Sequence, residues 1–371
     1  MTNATDARFM AAALALGARG LGQTWQNPSV GCVIVKDGRV VGRGQAGKGG
    51  RPHAEVQALA MAGKAAAGAT AYVTLEPCAH TGKTPPCAEA LIAARVARVV
   101  TPLMDPDPRV AGRGIEMLRA AGIDVAVGAL ADAARRAHRG FLLSRTEGRP
   151  SLTLKLASSF DGRIATATGE SRWITGQDAR RLVHAERLRH DVVLVGGGTA
   201  RADDPDLSVR NMGPVSQPVR AVASRHLNLP TNSRLLGSVD KGPVWAIADA
   251  AKGSIAPETR ASWERQGAKI LAAPAGPGGQ LDPLGILQAL GAQGITRVFC
   301  EGGGALAASF LQAGLVDELV GFTAGIAIGA EGQPAVGALG LEQLASAPRF
   351  RLISAQQIGA DVVHRWERSG S

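Results

Sequence analysis

The residues His53-Ala54-Glu55, Pro77-Cys78 and Pro86-Cys87 constrain this chain more tightly than any other feature. One imidazole and two thiols supply three ligands for zinc and leave a fourth position open for water. The carboxylate adds a proton carrier that need not touch the metal. Each member stands just before or within the first turn of a helix expected from the surrounding pattern, so the fold must bring several helix starts to one point. His53 alone would more often be a buried, hydrogen-bonded histidine. In this order with Cys78 and Cys87, the metal reading prevails, with His53 neutral, Cys78 and Cys87 as thiolates, and Glu55 outside the ligand set.

A chain of 371 residues exceeds what one hydrophobic core usually serves, so two domains are expected. Hydrophobic residues make up 45% and mean hydropathy is +0.05, which indicates a globular protein. The polar start Met1 to Asp6 lacks the basic-then-apolar order of a secretory signal, and no long apolar run follows. A soluble, cytoplasmic protein with no membrane partner is expected. Four cysteines are too few and too scattered for a disulfide framework, and Cys32 and Cys300, each in an apolar run, are expected to fill core space. The net charge of +10 raises nucleic acid as a partner, but no basic block occurs and aromatic residues make up only 4%. The charge is read instead as attraction for small anionic ligands such as phosphates.

Along the chain, residues 7 to 22 predict a helix, Val30 to Val35 a buried strand, and Asp37-Gly38 a hairpin turn. Ala54 to Ala67 predicts a helix that opens just after His53, and Tyr72 to Leu75 a strand that ends just before Pro77-Cys78. Pro86-Cys87 opens a helix, where the backbone dipoles favour a thiolate. Further strands and helices alternate to about Arg145. The expected domains are 1–145 and 151–371, joined by a polar linker over 146–150. Both belong to the α/β class. In the second, Gly196-Gly197-Gly198 and Glu301-Gly302-Gly303-Gly304 follow predicted strands and open predicted helices, which suits a nucleotide.

His-x-Glu followed by Pro-Cys and a second cysteine resembles the zinc nucleobase deaminases, where Glu moves a proton from water to departing ammonia. Eight residues separate Cys78 from Cys87, unlike the Pro-Cys-x-x-Cys of nucleic-acid and nucleoside deaminases. With Asn27-Pro28-Ser29-Val30-Gly31-Cys32 and Asp105-Pro106-Asp107-Pro108-Arg109, the first half resembles the deaminase half of the bifunctional riboflavin-biosynthesis deaminase/reductase family. That resemblance implies a cytidine-deaminase-like α/β/α layered domain, Zn2+, and a phosphoribosylated diaminopyrimidine substrate. It also implies substrate contacts from Asn27 and Lys83. On residue type alone, Asn27 is a turn residue whose amide could equally read a heterocycle edge, and Lys83 is either a solvated rim cation or a contact to a substrate phosphate.

The stretches from Leu154 to Arg163, Gly169 to Thr175, Gly198 to Arg210 and Glu301 to Gly304 are similar to the reductase half of the same family. The implied fold is similar to dihydrofolate reductase, and the implied chemistry is NADPH reduction of the ribosyl group to ribityl. By that resemblance Ala157, Trp173, Thr199, Asp203, Gly303 and Gly304 line the NADPH site. Lys155, Ser171, Arg187, Leu207, Arg210 and Glu301 would bind substrate. The family pattern breaks at Ser224-Arg225, where an Asp-Ser pair is usual. The expected partners are this small phosphorylated pyrimidine and, in a homo-oligomer, further copies of the chain. A nucleic-acid-editing deaminase and a non-catalytic nucleotide-binding second half are the competing readings.

Overall fold

The first helix, α1 (Ala4–Gly17), is entered through a capping box: the Asn3 side chain accepts the Asp6 N–H at 2.9 Å, and the Asp6 carboxylate accepts the Asn3 N–H. The same carboxylate is buried and receives Arg98 at 2.8 and 3.0 Å and the Tyr72 hydroxyl at 3.1 Å. Burial would raise its pKa, but Arg98 outweighs burial and holds it below the usual range. The computed structural model describes residues 3–81 and 85–369. It divides into two units, Met1–Glu147 and Gly148–Ser371.

In the first unit α1 is followed by β1 (Gly31–Lys36), β2 (Arg39–Gln45), α2 (Ala54–Ala62), β3 (Thr70–Val73), α3 (Cys87–Ala93), β4 (Arg98–Thr101), α4 (Arg113–Ala120), β5 (Asp124–Val127) and α5 (Ala131–Thr146). The sheet order is β2-β1-β3-β4-β5, with β3, β4 and β5 parallel and β1 antiparallel to both neighbours. Asp37 and Gly38 both have positive φ, as the tight hairpin requires. Side chains alternate between two cores. Cys32 and Ile34 pack with Ala54, Ala58 and Leu91 on one face, while Val33 and Val35 pack with Phe9, Met10 and Tyr72 on the other. A Cβ on Gly42 or Gly44 would come within 2.2 Å of the Ala58 or Ala54 carbonyl. Glycine at these positions lets α2 lie directly on β2, which sets where His53 and Glu55 fall.

The second unit contains β6 (Ser151–Ser159), β7 (Arg163–Ala165), α6 (Gln177–Leu188), β8 (Val192–Gly196), α7 (Gly197–Asp203), β9 (Val219–Ala223), β10 (Val244–Asp249), α8 (Pro257–Arg265), β11 (Lys269–Ala273), α9 (Pro283–Gly291), β12 (Arg297–Cys300), α10 (Gly304–Gln312), β13 (Glu318–Ala324), β14 (Gln333–Pro334), β15 (Phe350–Ile358) and β16 (Asp361–Arg368). Its large sheet runs β11-β10-β9-β8-β12-β6-β13-β16-β15, parallel as far as β13 and antiparallel at β16 and β15. A small sheet pairs β7 with β14. The start of the domain is tied down by Asp317, whose carboxylate takes Arg149 at 2.8 and 3.1 Å and the Leu152 N–H at 2.8 Å. All three groups are buried, so the cation is matched by an anion that also satisfies the backbone.

Several boundaries differ from the sequence expectation: the helix expected over 7–22 runs Ala4–Gly17 and passes into a 3-10 turn, and α5 takes in Thr146 of the expected linker. The helix expected through Ala67 ends at Ala62, where Gly63 turns to φ 52° and a 3-10 turn follows. The strand expected to reach Leu75 ends at Val73. Cys32 and Cys300 are buried, as expected of core residues. Beneath the end of β3, His138 of α5 sits in the core with Nε2 3.1 Å from Thr74 Oγ1 and Nδ1 without a partner.

Burial pushes the His138 imidazole down to about 4, so it folds neutral while the unfolded chain takes up its proton near 6.5. The unfolded state therefore binds more protons between these values, and stability falls as pH drops through that window, by about 3 kcal/mol in total. His138→Asn keeps a partner for Thr74 and removes the titration. Its unfolding free energy is expected to vary less steeply than wild type between pH 6.5 and 4; identical slopes would contradict this role.

Candidate active sites

The junctions at the start of α2, after β3 and at the start of α3 bring His53, Cys78 and Cys87 together. Their ligand atoms all lie within 4.8 Å of one another. His53 Nδ1 is 3.1 Å from Cys87 Sγ and 3.6 Å from Cys78 Sγ. A tetrahedral zinc ion with ordinary Zn–N and Zn–S lengths would separate such atoms by roughly 3.5 Å, so the cluster fits zinc in both spacing and donor type. The Cys87 N–H points at Cys78 Sγ at 3.2 Å. The Cys87 thiol, followed by His53, holds Cys78 down at about 4, while Cys87 itself is raised by that contact and by burial. With the sulfurs held this close, a dication binding between them would favour the thiolate form of both.

Glu55 lies in the first turn of α2, is buried, and its carboxyl hydrogen-bonds the Cys87 thiol. Burial pushes it up to about 7. Asn27 is placed by its Nδ2, which donates to the Gly49 carbonyl at 2.9 Å, and its Oδ1 has no hydrogen-bond donor among the described residues. Lys83 lies outside the described residues. His80 is not part of the metal cluster.

Glu76 has a different use from metal binding. Its buried carboxylate accepts the N–H groups of Asp105 and Gly112 at 3.0 Å on one oxygen, and of Gly114 at 2.9 Å and Ile115 at 3.3 Å on the other. It therefore caps the start of α4 from outside and fixes the Glu76-Pro77-Cys78 turn against that helix. The aspartate-rich segment from Asp105 is folded by its own carboxylates: Asp105 accepts the Asp107 N–H, and Asp107 accepts the N–H and guanidinium of Arg109.

In the second unit, all twelve residues assigned above to substrate or cofactor line one cavity of about 2000 Å³. It lies over the ends of β6, β8, β9 and β12. Trp173 stands exposed at its wall with the Arg180 guanidinium 4.5 Å from the ring centre. Thr199 Oγ1 accepts the Gly303 N–H at 2.8 Å and so joins the two glycine turns. Arg187 is not the free phosphate clamp that a lone arginine suggests. Its Nε and Nη2 engage both oxygens of Glu301 at 2.6 and 3.1 Å, and its Nη1 donates to the Ser208 carbonyl. Burial would raise Glu301, but Arg187 and then Lys155 outweigh it and keep it an anion. Burial lowers the Lys155 ammonium, with Glu301 opposing.

Leu207 is held at φ 58°, a costly conformation for a branched side chain. The neighbouring Asp206 carboxylate accepts the N–H and hydroxyl of Ser208 at 2.8 Å, and the buried Arg220 grips the Asp206 carbonyl. The loop carrying Leu207 and Arg210 is thereby fixed. His184 also lines the cavity, on the same face of α6 as Arg187, and its Nδ1 accepts the Arg210 N–H. The sequence reading passed over it, although its helical spacing from Gln177 and Arg187 marks that face.

Fold and sites define a class: a zinc deaminase unit and a dinucleotide-dependent reductase unit on one chain. Comparison with known proteins bears this out. The cytidine and deoxycytidylate deaminase zinc-binding region matches residues 3–103, and the RibD C-terminal domain matches residues 150–364. The riboflavin biosynthesis protein RibD of Escherichia coli is 42% identical over 369 residues, covering 96% of this chain and 98% of that protein. A solved RibD of Acinetobacter baumannii has a TM-score of 0.86 at 40% identity, covering 98% of this chain and 99% of that one. A Thermotoga maritima structure, described as a diaminohydroxyphosphoribosylaminopyrimidine deaminase/5-amino-6-(5-phosphoribosylamino)uracil reductase, has a TM-score of 0.84 at 31% identity, covering 98% and 99%. The chain belongs to the RibD family.

Glu76→Gln places an NH2 group against backbone donors that now meet a carboxylate oxygen. Denaturant unfolding is expected to show a loss of about 2–3 kcal/mol. Zinc should also leave faster to a chelator, because Cys78 is held less firmly. Stability and chelation rate both equal to wild type would show that the Glu76 bonds do not brace this turn.

Proposed function

We propose that this chain performs two successive steps of riboflavin biosynthesis. The first unit hydrolytically deaminates 2,5-diamino-6-(5-phosphoribosylamino)pyrimidin-4-one to the corresponding uracil. The second reduces the ribosyl group to ribityl with NADPH. The observation that carries the first step is the convergence of His53, Cys78 and Cys87 within 4.8 Å, beside buried Glu55.

Zinc, held by His53, Cys78 and Cys87, supplies Lewis-acid activation of water at neutral pH. Glu55 accepts a proton from the attacking water at its carboxylate and returns it to the departing amino nitrogen, so amine and water become oxo group and ammonia. Asn27 offers Oδ1 to an N–H on the edge of the heterocycle, and Lys83 is assigned to the substrate. In the reductase cavity, NADPH supplies the hydride. Ala157, Trp173, Thr199, Asp203, Gly303 and Gly304 are assigned to that cofactor. Lys155 lies near enough to Glu301 for each charge to stabilise the other, and Glu301, oriented by Arg187, can accept from substrate hydroxyl or amino groups. Ser171, Leu207 and Arg210 complete the substrate wall, where Arg210 suits the phosphate.

The even spread of arginines and the low aromatic content support a small phosphorylated substrate over nucleic acid. Among the described residues no helix is long and apolar enough to cross a membrane. These features agree with a cytoplasmic enzyme.

Glu55→Gln is expected to retain zinc by metal analysis and lose deamination by at least about a hundredfold, while Cys87→Ala loses both. Full deaminase turnover in the Glu55 variant would refute the proton-carrier role. Both variants should still oxidise NADPH when given the deaminated intermediate. Arg187→Lys, which cannot hold both Glu301 oxygens, should lower NADPH oxidation about tenfold or more without changing deamination.

A further inference from the structure

One side chain in the reductase cavity keeps an unspent hydrogen-bond donor. His184 lines the cavity from α6, half-buried, one turn before Arg187 on the same helical face. Its Nδ1 accepts the Arg210 N–H at 3.3 Å. A backbone N–H can only donate, so Nδ1 carries no proton and the proton of the neutral ring sits on Nε2. That Nε2–H has no acceptor among the described residues. The contact is also a fixed one, because the loop that supplies the Arg210 N–H is held by Asp206, Ser208 and Arg220.

The surroundings of the ring are cationic. Burial, then Arg187 and Arg210, hold the imidazole down at about 4, with Glu301 and Asp206 opposing. It therefore stays neutral near pH 7 and offers one donor. The two arginines beside it differ in what they have left. Arg187 commits all three of its nitrogens within the protein, to Glu301 and the Ser208 carbonyl. Arg210 is half exposed and pairs through Nη1 with Asp206 at 3.3 Å, which leaves further donors on its guanidinium. A ligand entering here thus meets one cation and, tied to the backbone of that same residue, one neutral N–H. With Nδ1 spent, His184 can donate but not accept. A substrate hydroxyl can both donate and accept, whereas the oxygens of a phosphomonoester dianion only accept, and they outnumber what one guanidinium fork satisfies. The pair of donors therefore matches a phosphate better than a sugar hydroxyl.

We propose that His184 donates its Nε2–H to the phosphate of the reductase substrate, beside Arg210, and so helps the enzyme select the phosphorylated compound. The assignment rests on the reductase reading above, and it gives a binding role to a residue on α6 that the motifs did not mark.

The test is steady-state NADPH oxidation by the full zinc-loaded chain, given the deaminated intermediate or the same compound without its phosphate. The quantity read is the ratio of the two kcat/KM values. Wild type should favour the phosphorylated compound by at least about a hundredfold. His184→Leu should cut that ratio about tenfold, through a higher KM for the phosphorylated compound. His184→Gln, whose amide can accept from the Arg210 N–H and still donate, should recover most of the ratio. Damage to the fold lowers both kcat/KM values together and leaves their ratio standing. An unchanged ratio in His184→Leu therefore overturns the assignment, however active that variant is. A ratio that falls equally in the Leu and Gln variants overturns it too, since the loss would then follow the shape of the ring and not its donor. If wild type oxidises NADPH with neither compound, the reductase reading itself falls, and this assignment with it.

Discussion

A parallel strand and the helix after it meet at one edge of the sheet, and side chains at that junction have nowhere to project but into the space above it. Both chemical centres of this chain depend on that constraint. In the first unit, Cys78 follows β3 while His53 and Cys87 stand at the starts of α2 and α3, and their ligand atoms converge within 4.8 Å. In the second, Gly196 to Gly198 after β8 and Glu301 to Gly304 after β12 open onto one cavity. The backbone N–H groups freed at such junctions favour negative charge, which suits a thiolate in one unit and phosphates in the other.

Junctions of this kind are exposed to strain, and both units brace them with buried charge. The Glu76 carboxylate holds the Pro-Cys turn through four backbone donors. Arg187 holds Glu301 through both of its oxygens. Each carboxylate is fixed on both oxygens by neighbours that cannot move easily, so its position is set by the fold. Arg187 shows the consequence most clearly: an arginine that alone would be read as a phosphate clamp instead keeps a carboxylate ionised and oriented.

The ligand cluster was legible in the sequence because metal chemistry restricts both residue type and spacing, and the helix starts could be read from Pro52 and Pro86. The glycine turns at Gly196 and Gly302 were legible for a similar reason, since each interrupts an apolar run. Pairings between distant residues were not. Arg187 and Glu301 stand on different elements far apart in sequence, as do Glu76 and Gly114, and no local pattern announces either contact. The hairpin of β15 and β16 escaped because β15 is largely exposed on both faces and shows no clean alternation. The short α8 and β11 lie in a polar, glycine-interrupted stretch and were missed as well. The departure at Ser224-Arg225 was visible, but the contacts of Arg225 with Asp249 and the Gly279 carbonyl emerge only in the fold.

The central claim is that one chain performs deamination and then reduction. It is tested most directly by mass spectrometry of the products formed by the pure, zinc-loaded protein from the phosphoribosylated diaminopyrimidine. Without NADPH, the account predicts accumulation of the uracil in which an oxo group has replaced one amino group. With NADPH, it predicts that compound carrying two further hydrogens on an opened ribityl chain. Unchanged substrate in both cases, or a uracil that NADPH leaves unreduced, would contradict the account.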